Sequence, residues 1–273
     1  MPGWRVGVDI GGTFTDIVFL GVDGALHTTK VSSSVDNYAR AIVAGMAAVW
    51  YEAGLSGGDI VEVLHGTTVT SNAILELKGA RTGLITTKGF RDILEIARGN
   101  RPDPFDLHYQ RDEPLIPREL RLEVRERIGS KGEMVEPLDL PAFEKLAAKL
   151  NELHVESIAI FFMNSYVNPA HEEAAAETLR RFLPGVYVTF STDLTREWYE
   201  YERCSTVAAN AYVGPLVNTY IRRLGSEFQK RSFVGSLFMM GSNGGLLSAE
   251  RTCRQPIGLV ESGPIGGCIG ASA

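Results

Sequence analysis

The stretch VGVDIGGTFTDIVFLG, residues 6–21, decides the fold of this chain. Two runs rich in β-branched and aromatic residues flank a turn that holds glycine, threonine and aspartate pairs. The alternation of apolar residues predicts strands over residues 4–10 and 16–22. Because a tight hairpin needs only two turn residues, the longer polar turn indicates that this segment binds a ligand, although a hairpin with polar caps is the alternative.

The turn differs from the two phosphate-binding loops that lead into a helix. A Walker A loop needs the pattern G-x-x-x-x-G-K-[ST], and the chain contains no such string. A Rossmann loop needs G-x-G-x-x-G before a helix. Here Gly11 and Gly12 lead into the second predicted strand. The turn therefore joins two antiparallel strands.

The residue types in the turn suit a phosphate and a metal ion. Glycine lets backbone N–H groups approach phosphate oxygens, and threonine adds hydroxyl donors. The predicted phosphate contacts here are Gly11, Gly12, Thr13 and Thr15. Asp9 ends the first strand and is predicted to hold Mg²⁺ directly or through water, since Mg²⁺ takes one or two carboxylates and keeps several waters. Asp16 is a second candidate metal ligand, or an anchor for the turn.

The rest of the chain reads as alternating strands and helices. Residues 25–31 predict a third strand and therefore an antiparallel meander, and helical spacing predicts a helix over 36–53. Later strands are predicted at 60–66, 81–87, 155–162, 185–190, 235–240 and 257–261, and later helices at 70–79, 141–153 and 169–183. A helical segment over 196–230 is predicted to break near Gly214 and Pro215.

Two segments stand apart from this alternation. Residues 97–140 are rich in Arg, Asp, Glu and Pro and predict an excursion from the core, with a hairpin around Gly129–Gly132. The stretch GPIGGCIGA, 263–271, places small residues at four-residue spacing. It indicates close packing of a helix, with phosphate binding as the alternative.

The stretch HGTTVTSN, 65–72, follows one predicted strand and begins a helix. Backbone N–H groups at such a helix start can face an anion, so Thr67 and Thr68 are further candidate phosphate contacts. A Thr- and Ser-rich helix cap is the alternative. His65 alone is more often a structural histidine than a catalyst.

Composition excludes several classes of protein. The 273 residues carry a formal net charge of −6, and the basic residues are scattered, which argues against a nucleic-acid or membrane-surface partner. The three cysteines form no C-x-x-C pair, which is typical of a reducing cytoplasm. No apolar run approaches the roughly 20 residues of a membrane span, and no signal peptide is visible. We expect a cytoplasmic protein.

Several long strings together resemble one family. D-I-G-G-T-x-T-D resembles the first phosphate loop of the actin-like ATPase superfamily. With HGTTVTSNAILELKGARTGLITTKGFRDILEIARGNRPDPFDL, GSNGGLLSAE and ESGPIGGCIGAS, the chain resembles the hydantoinase A / 5-oxoprolinase family, which includes ATP-using subunits of N-methylhydantoinases and acetone carboxylases.

The resemblance implies an α/β, ribonuclease-H-like lobe with a mixed sheet, followed by the start of a second lobe. Residues 1–195 would form the first lobe, with the excursion at 97–140, and residues 196–273 a long helix and the beginning of the hydantoinase A lobe. The family's second phosphate loop does not occur in the sequence, so the chain is expected to be the N-terminal part of a longer protein. Alone, it is expected to have little activity.

The resemblance also implies an ATP- and Mg²⁺-dependent enzyme. It would phosphorylate a carbonyl-derived oxygen of a lactam, hydantoin or ketone, working with a second, hydantoinase B-type subunit. A sugar or acyl kinase of the same superfamily is an alternative, but its catalytic Asp is missing between His65 and Glu76. A non-catalytic, ATP-gated activator lobe is another.

Overall fold

The chain forms two compact units of mixed α/β structure. The computed structural model describes residues 3–33, 42–43, 45–47, 49–50 and 54–272, with the backbone alone at 270–272. Unit 1 comprises Met1–Lys78 and Leu216–Ala273, and unit 2 comprises Gly79–Pro215. These limits fall at other residues than the lobe boundary predicted between residues 195 and 196. That lobe boundary stays a prediction.

The strands are short and regular. They are β1 (Trp4–Ile10), β2 (Phe14–Leu20), β3 (Leu26–Ser32), β4 (Ile60–Thr67), β5 (Thr82–Thr87), β6 (Arg121–Val124), β7 (Arg127–Ile128), β8 (Met134–Glu136), β9 (Ser157–Phe161), β10 (Tyr187–Phe190), β11 (Ser236–Met240) and β12 (Leu246–Ser248).

The helices after β4 vary widely in length. They are α1 (Val69–Leu75), α2 (Ile93–Ile96), α3 (Ala142–Glu152), α4 (Ala170–Phe182), α5 (Ser191–Leu194), α6 (Glu200–Gln229), α7 (Ala249–Arg254) and α8 (Ser262–Ser272). Before β4, the described residues at 42–43, 45–47 and 49–50 are helical, and the rest of the predicted helix over 36–53 lies outside the described residues. Within the described ranges, no helix is long and apolar enough to cross a membrane.

Unit 1 contains a six-stranded mixed sheet in the order β12-β11-β4-β1-β2-β3. Strands β1, β2 and β3 form the predicted antiparallel meander, whereas β4 pairs in parallel with both β1 and β11. Alternate residues of β1 and β2 are buried, among them Val6, Val8, Ile17 and Phe19. The period-2 pattern that predicted these strands therefore reflects one buried face.

Unit 2 contains a four-stranded parallel sheet in the order β10-β9-β5-β6. Every residue of β5 and β9 is buried, as expected for parallel strands covered on both faces. Its core also includes Phe143 and Leu150 of α3, Leu179 of α4 and Cys204 of α6. The charged segment 97–140 in this unit nevertheless contains a strand of the core sheet, β6.

The prediction that all of 97–140 leaves the core was wrong for β6. Strand β6 pairs in parallel with β5, and Leu122 and Val124 join the core. Arg121 obscured the pattern, but its buried side chain donates from Nε to the Ile116 carbonyl oxygen at 2.8 Å and pairs with Glu95 at 3.0 Å. The hairpin predicted around Gly129–Gly132 is confirmed as β7 and β8.

The predicted break at Pro215 was also wrong, because α6 runs through this residue as one helix. Proline lacks the N–H that would bond to the carbonyl oxygen four residues earlier. The Ser157 hydroxyl donates instead to that Ala211 oxygen at 2.6 Å, and the Ala80 amide donates to the Tyr212 oxygen at 2.8 Å. A partner from elsewhere in unit 2 thus replaces the one helical bond that the proline removes, and a second partner bonds to the next carbonyl oxygen.

The predicted strand over 257–261 was wrong as well. Pro256–Leu259 forms a 3₁₀ turn, with proline at its first helical position. The amide of Val260 closes this turn by donating to the Ile257 oxygen at 3.2 Å. A short apolar run is ambiguous between strand and helix, and the proline decides it here.

Candidate active site at the ends of β1 and β4

Three segments singled out in the sequence meet in unit 1, at the carboxyl ends of the parallel strands β1 and β4. They are the β1–β2 turn, the start of α1 and the start of α8. The Ser262 hydroxyl donates to the Thr67 carbonyl oxygen at 3.0 Å, and the Glu261 amide donates to the Ser71 hydroxyl at 2.9 Å. Carboxyl ends of parallel strands are a common location for ligand sites in α/β proteins.

A row of paired residues crosses the sheet at this end. Asp9 lies opposite Asp16 on β2 and opposite Gly66 on β4, and Asp16 lies opposite Lys30 on β3. Lys30 Nζ is 3.0 Å from an Asp16 carboxylate oxygen. Asp16 therefore has a cation of its own, which supports the prediction that it anchors the turn.

Two glycines lie next to the Asp9 carboxylate. Oδ1 of Asp9 is 3.3 Å from the position that a Cβ atom on Gly66 would occupy, and 3.8 Å from the corresponding position on Gly263. A Cβ atom at Gly66 would crowd the carboxylate, whereas a Cβ atom at Gly263 would make ordinary van der Waals contact with it. The start of the 11-residue helix α8 thus approaches the end of β1 closely.

The environment of Asp9 disfavours its negative charge. Partial burial, and then the charge of Asp16, raise the pKa of Asp9 above its ordinary value. Within the described part of the chain, its carboxylate has no hydrogen bond or ion pair. The described residues also hold no group of three His, Cys, Asp or Glu side chains that could bind a metal ion. A Mg²⁺ ion fits here only with Asp9, waters and a ligand's oxygens around it.

The tip of the β1–β2 turn is open. The Gly11 amide is used inside the turn, donating to the Phe14 oxygen at 2.9 Å. Gly12 and Thr13 are exposed, and a Cβ atom on Gly12 would meet no other atom within 4 Å. These two residues are therefore the accessible part of the predicted phosphate loop.

Phosphate contact requires an exposed hydroxyl group, but Thr15 and Thr67 are fully buried. Thr15 Oγ1 lies 3.0 Å from Ser33 Oγ, which donates to the Gly11 oxygen at 2.9 Å. Thr67 Oγ1 accepts from the Val69 amide at 3.2 Å. Both hydroxyls brace the framework, so direct phosphate contact by them gains no support and stays a prediction.

Thr68 connects the other two segments. It is half-buried at the N-cap of the seven-residue helix α1, its hydroxyl donates to the Ile10 oxygen at 3.4 Å, and its methyl group is 3.5 Å from a Cβ position on Gly263. A helix this short has a weak N-terminal field. Thr68 therefore serves the site mainly by its position between β1 and α8.

His65 is a structural residue. It is buried between β1 and α6, with Nδ1 3.3 Å from the Val8 oxygen and Nε2 in a hydrogen bond with the Tyr220 hydroxyl. Burial lowers its pKa from 6.5 to about 4 despite the bond to Val8. The ring is therefore neutral at physiological pH.

The sequence-based prediction missed the parts of the site that depend on close approach. Gly66 lies inside a strand, where glycine often marks such an approach, and this signal was available. Glu261 has φ of 60°, which is rare for a side chain other than glycine, and no local pattern announces it. Ser71 and Ser262 fix this segment through the bonds given above.

Two family models match the chain. The model described as the hydantoinase/oxoprolinase N-terminal region matches residues 5–183, and the model described as hydantoinase/oxoprolinase matches residues 203–273. Together they extend over most of the sequence and include all three segments of the candidate site.

Individual relatives agree with these matches. The chain is 33% identical to caprolactamase subunit alpha of Pseudomonas jessenii over 96% of its own length and 38% of that protein. It is 31% identical to 5-oxoprolinase 1 of Arabidopsis thaliana over 98% of its own length and 23% of that protein. The chain thus spans about two fifths, or less, of the curated relatives it matches.

Solved structures show the same fold. The crystal structure of the ATP-dependent caprolactamase from Pseudomonas jessenii superposes with a TM-score of 0.86 at 32% identity, covering 98% of this chain and 40% of that one. Nucleotide-free acetone carboxylase, described with ATP-dependent acetone carboxylation, also gives a TM-score of 0.86, at 26% identity over 99% of this chain and 40% of that one. The chain belongs to the hydantoinase/oxoprolinase family.

Proposed function

We propose that this chain supplies the phosphate- and metal-binding part of an ATP-dependent enzyme that acts on a cyclic amide or a ketone. The observation that carries the proposal is the meeting of the β1–β2 turn, Thr68 and the start of α8 around the Asp9 carboxylate. The related caprolactamase is described as ATP-dependent. This coincidence of fold and open polar turn favours ATP over other ligands.

The residues divide into those that contact the ligand and those that hold them. Asp9 would hold Mg²⁺, and Gly12 and Thr13 would contact phosphate, because these groups are exposed at the turn. Gly11 keeps the turn tight, and Asp16 holds its second strand through Lys30. The raised pKa of Asp9 supports this assignment, since a nearby cation offsets the cost of a half-buried charge.

The chemistry would be transfer of a phosphoryl group to a carbonyl-derived oxygen. Mg-ATP supplies the phosphoryl group and charge neutralisation when it is bound. The chain's own part is to place the phosphates with backbone amides and Thr13, and to keep the loop rigid through Thr15 and Ser33. Positioning and electrostatic stabilisation provide most of the rate in such reactions. Phosphorylation turns the oxygen into a better leaving group for later hydrolysis or carboxylation.

Further features belong to the same proposal. The antiparallel meander followed by the parallel strands β4 and β11 supports a ribonuclease-H-like lobe of the actin-like ATPase superfamily. One relative is a subunit alpha, which supports a second, hydantoinase B-type subunit as partner. We also propose that the protein is cytoplasmic.

The nucleotide assignment is tested by calorimetry with Mg-ATP on the complete enzyme. Asp9→Asn and Thr13→Ala should each weaken binding by about tenfold or more, which corresponds to roughly 1.4 kcal/mol. Asp23→Asn is the matched control, because Asp23 caps the opposite turn between β2 and β3 and asparagine keeps the oxygen that accepts from the Ala25 amide. Unchanged Mg-ATP affinity in both site variants would refute the assignment.

The substrate class is tested by stimulation of ATP hydrolysis in the complete enzyme. Caprolactam, hydantoin, 5-oxoproline and acetone are compared with glucose and glycerol at equal concentrations. Stimulation by a cyclic amide or ketone is expected. Stimulation by a sugar alone would replace this proposal with a sugar kinase, and nucleotide binding without stimulation by any compound would favour an ATP-gated activator.

A further inference from the structure

Unit 2 contains a cavity of about 740 Å³ that the phosphate site does not use. Gly89 and Phe90, which follow β5, and Met163, which follows β9, line it. The other lining residues lie in or beside α2, among them Asp92, Ile96 and Arg98, and at or just before the start of α6, among them Tyr199 and Glu200. The volume is within the range of small-molecule pockets.

The cavity lies where the topology of the parallel sheet leaves a crevice. From β5 the chain continues to its neighbour β6 on one side, and then crosses to β9 and β10 on the other side. The connections that follow β5 and β9 therefore lead in opposite directions along the sheet. In open parallel sheets, ligands bind at the carboxyl ends of the two strands where this reversal occurs.

The backbone around the cavity is held firmly. The Met163 amide donates to Thr87 Oγ1 at 3.0 Å, and the Thr87 hydroxyl donates to buried Glu126. Glu126 Oε2 lies 2.7 Å from His171 Nδ1. On the other wall, Ala97 has φ of 50°, a strained conformation for alanine that a surrounding structure must impose. Strain and a braced floor together are typical of a preorganised binding site.

The walls combine apolar and aromatic surface. Phe90, Ile93 and Met163 pack toward the hydrophobic core and present their free surfaces to the cavity. Tyr199 stacks on Trp198 with ring centroids 4.4 Å apart. The guanidinium of Arg98 covers the Tyr199 ring at 5.4 Å. An apolar body of a few carbon atoms would fit against these groups.

Two of the three carboxylates around the cavity are held in ion pairs. The lining holds three carboxylates, Asp92, Glu200 and Glu202, and one cation, Arg98. Three further cations interact with lining residues: Arg118, Arg127 and Arg203. Asp92 is bound by Arg118 at 2.8 Å, and Glu202 pairs with Arg98. Glu200 is half-buried and forms no ion pair with any residue that the structure describes. Glu200 interacts with the charge of Arg203, but its carboxylate accepts no hydrogen bond from any residue that the structure describes, so it is open to a donor on a ligand.

We propose that this cavity binds a small molecule with an apolar body and an N–H donor group, an amide or an ammonium, that bonds to Glu200. The Glu200 charge disfavours a ligand that places a carboxylate beside it, because like charges in a half-buried site repel strongly. The site lies wholly within unit 2 and does not depend on the proposed nucleotide site.

Three probes of similar size separate these alternatives. Caprolactam offers a neutral N–H, cyclohexylamine an ammonium and cyclohexanecarboxylate an anion, and each is titrated into the full chain without nucleotide. Calorimetry gives the affinities, and Trp198 emission reports on Tyr199. A Trp198→Phe variant assigns the emission change. Caprolactam or cyclohexylamine should bind at least tenfold more tightly than cyclohexanecarboxylate.

Two variants test the residues. Glu200→Gln should weaken cyclohexylamine about tenfold and reduce the difference between the amine and the carboxylate, whereas Glu197→Gln, three residues earlier in the chain and outside the lining, should change neither. Ile96→Trp should weaken all probes by filling the cavity. Ile96 is 64% exposed, so this change does not burden folding.

Four results would overturn the proposal: no binding of either N–H probe at millimolar concentration, equal or tighter binding of cyclohexanecarboxylate, unchanged amine affinity in Glu200→Gln, or unchanged affinities in Ile96→Trp. Far-ultraviolet circular dichroism confirms that each variant is folded. Because no step uses ATP, failure here leaves the proposed nucleotide site intact, and loss of Mg-ATP binding in Asp9→Asn leaves this cavity untouched.

Discussion

Two carboxylates near strand ends, Asp9 in unit 1 and Glu172 in unit 2, have opposite surroundings. Glu172 is fully buried on α4 and accepts hydrogen bonds from the amides and hydroxyls around it. The donors are Phe162 N at 2.9 Å, Ser165 Oγ at 2.9 Å, Ser191 Oγ at 2.7 Å, Thr192 N at 2.9 Å and Thr192 Oγ1 at 2.8 Å. Asp9 is only partly buried and accepts from no residue that the structure describes.

The difference distinguishes a carboxylate that stabilises the fold from a carboxylate that is open to a ligand. Buried Arg203 donates to the same two serines, at 2.6 Å to Ser165 and 3.0 Å to Ser191, so the Glu172 charge is balanced inside unit 2. A buried charge persists only with such partners. The carboxylate oxygens of Asp9 lack such partners, so a bound ligand would have to supply them. The four predictions below test this comparison, beginning with the largest effect.

Removing the buried carboxylate should cost the most. Glu172→Ala removes the first of the counter-charges of buried Arg203 and leaves several donors unpaired, and we expect a loss of about 3–5 kcal/mol in unfolding free energy. Urea unfolding followed by circular dichroism measures it. Glu173→Ala, on the exposed side of the same helix, is the control and should change stability by less than about 0.5 kcal/mol. Equal losses in the two variants would contradict the structural role.

The buried neutral histidine of unit 1 should make the chain sensitive to acid. Because the pKa of His65 falls from 6.5 to about 4 on folding, the unfolded chain binds the proton first as pH drops. The stability that neutral His65 contributes is fully present above pH 6.5. As pH falls from 6.5 to about 4, roughly 3 kcal/mol of this stability is lost. His65→Gln should flatten the stability profile over this range in urea unfolding. An unchanged slope would show that the ring titrates normally.

The bond that carries α6 through Pro215 should contribute less. Ser157→Ala leaves the buried Ala211 oxygen without its donor, which costs about 1–3 kcal/mol. In a Pro215→Ala background the restored helical N–H replaces that donor, so the same serine change should cost much less. Urea unfolding of the four variants gives the coupling between the two sites. Additive effects would mean that the Ser157 hydroxyl does not substitute for the missing bond.

The smallest effect on stability is expected at Asp9. Asp9→Asn removes a half-buried charge that faces Asp16, so the variant should be as stable as the parent chain or slightly more stable at pH 7. The gain should fade as pH falls through the raised pKa, since the parent's carboxyl group is then protonated. Unfolding at pH 7 and pH 4 measures both. A loss as large as that of Glu172→Ala would remove the distinction between the two carboxylates.

Local patterns predicted much of unit 1. The alternation in β1 and β2 and the turn between them came directly from the sequence, and the same alternation could have shown that Thr15 shares the buried face of Ile17 and Phe19. The candidate site was predicted in its three segments, but their meeting around Asp9 depends on glycines far apart in the chain.

Non-local partners explain the failures elsewhere. The course of α6 through Pro215 depends on Ser157, 54 residues before Ala211. Strand β6 depends on partners that neutralise Arg121, among them Glu95. A sequence pattern depends only on neighbouring residues. It therefore contains no information about a hydrogen-bond donor or counter-charge that another element supplies.

The order of strands in unit 1 also constrains how the chain folds during synthesis. Strand β4 pairs with β1 on one side and with β11 on the other, and all of unit 2 is translated between β4 and β11. A nascent chain that ends at Pro215 therefore contains every strand of unit 2, while β4 still has an open edge. We expect unit 2 to fold first on the ribosome. The unpaired edge of β4 should then be the point at which a stalled chain aggregates.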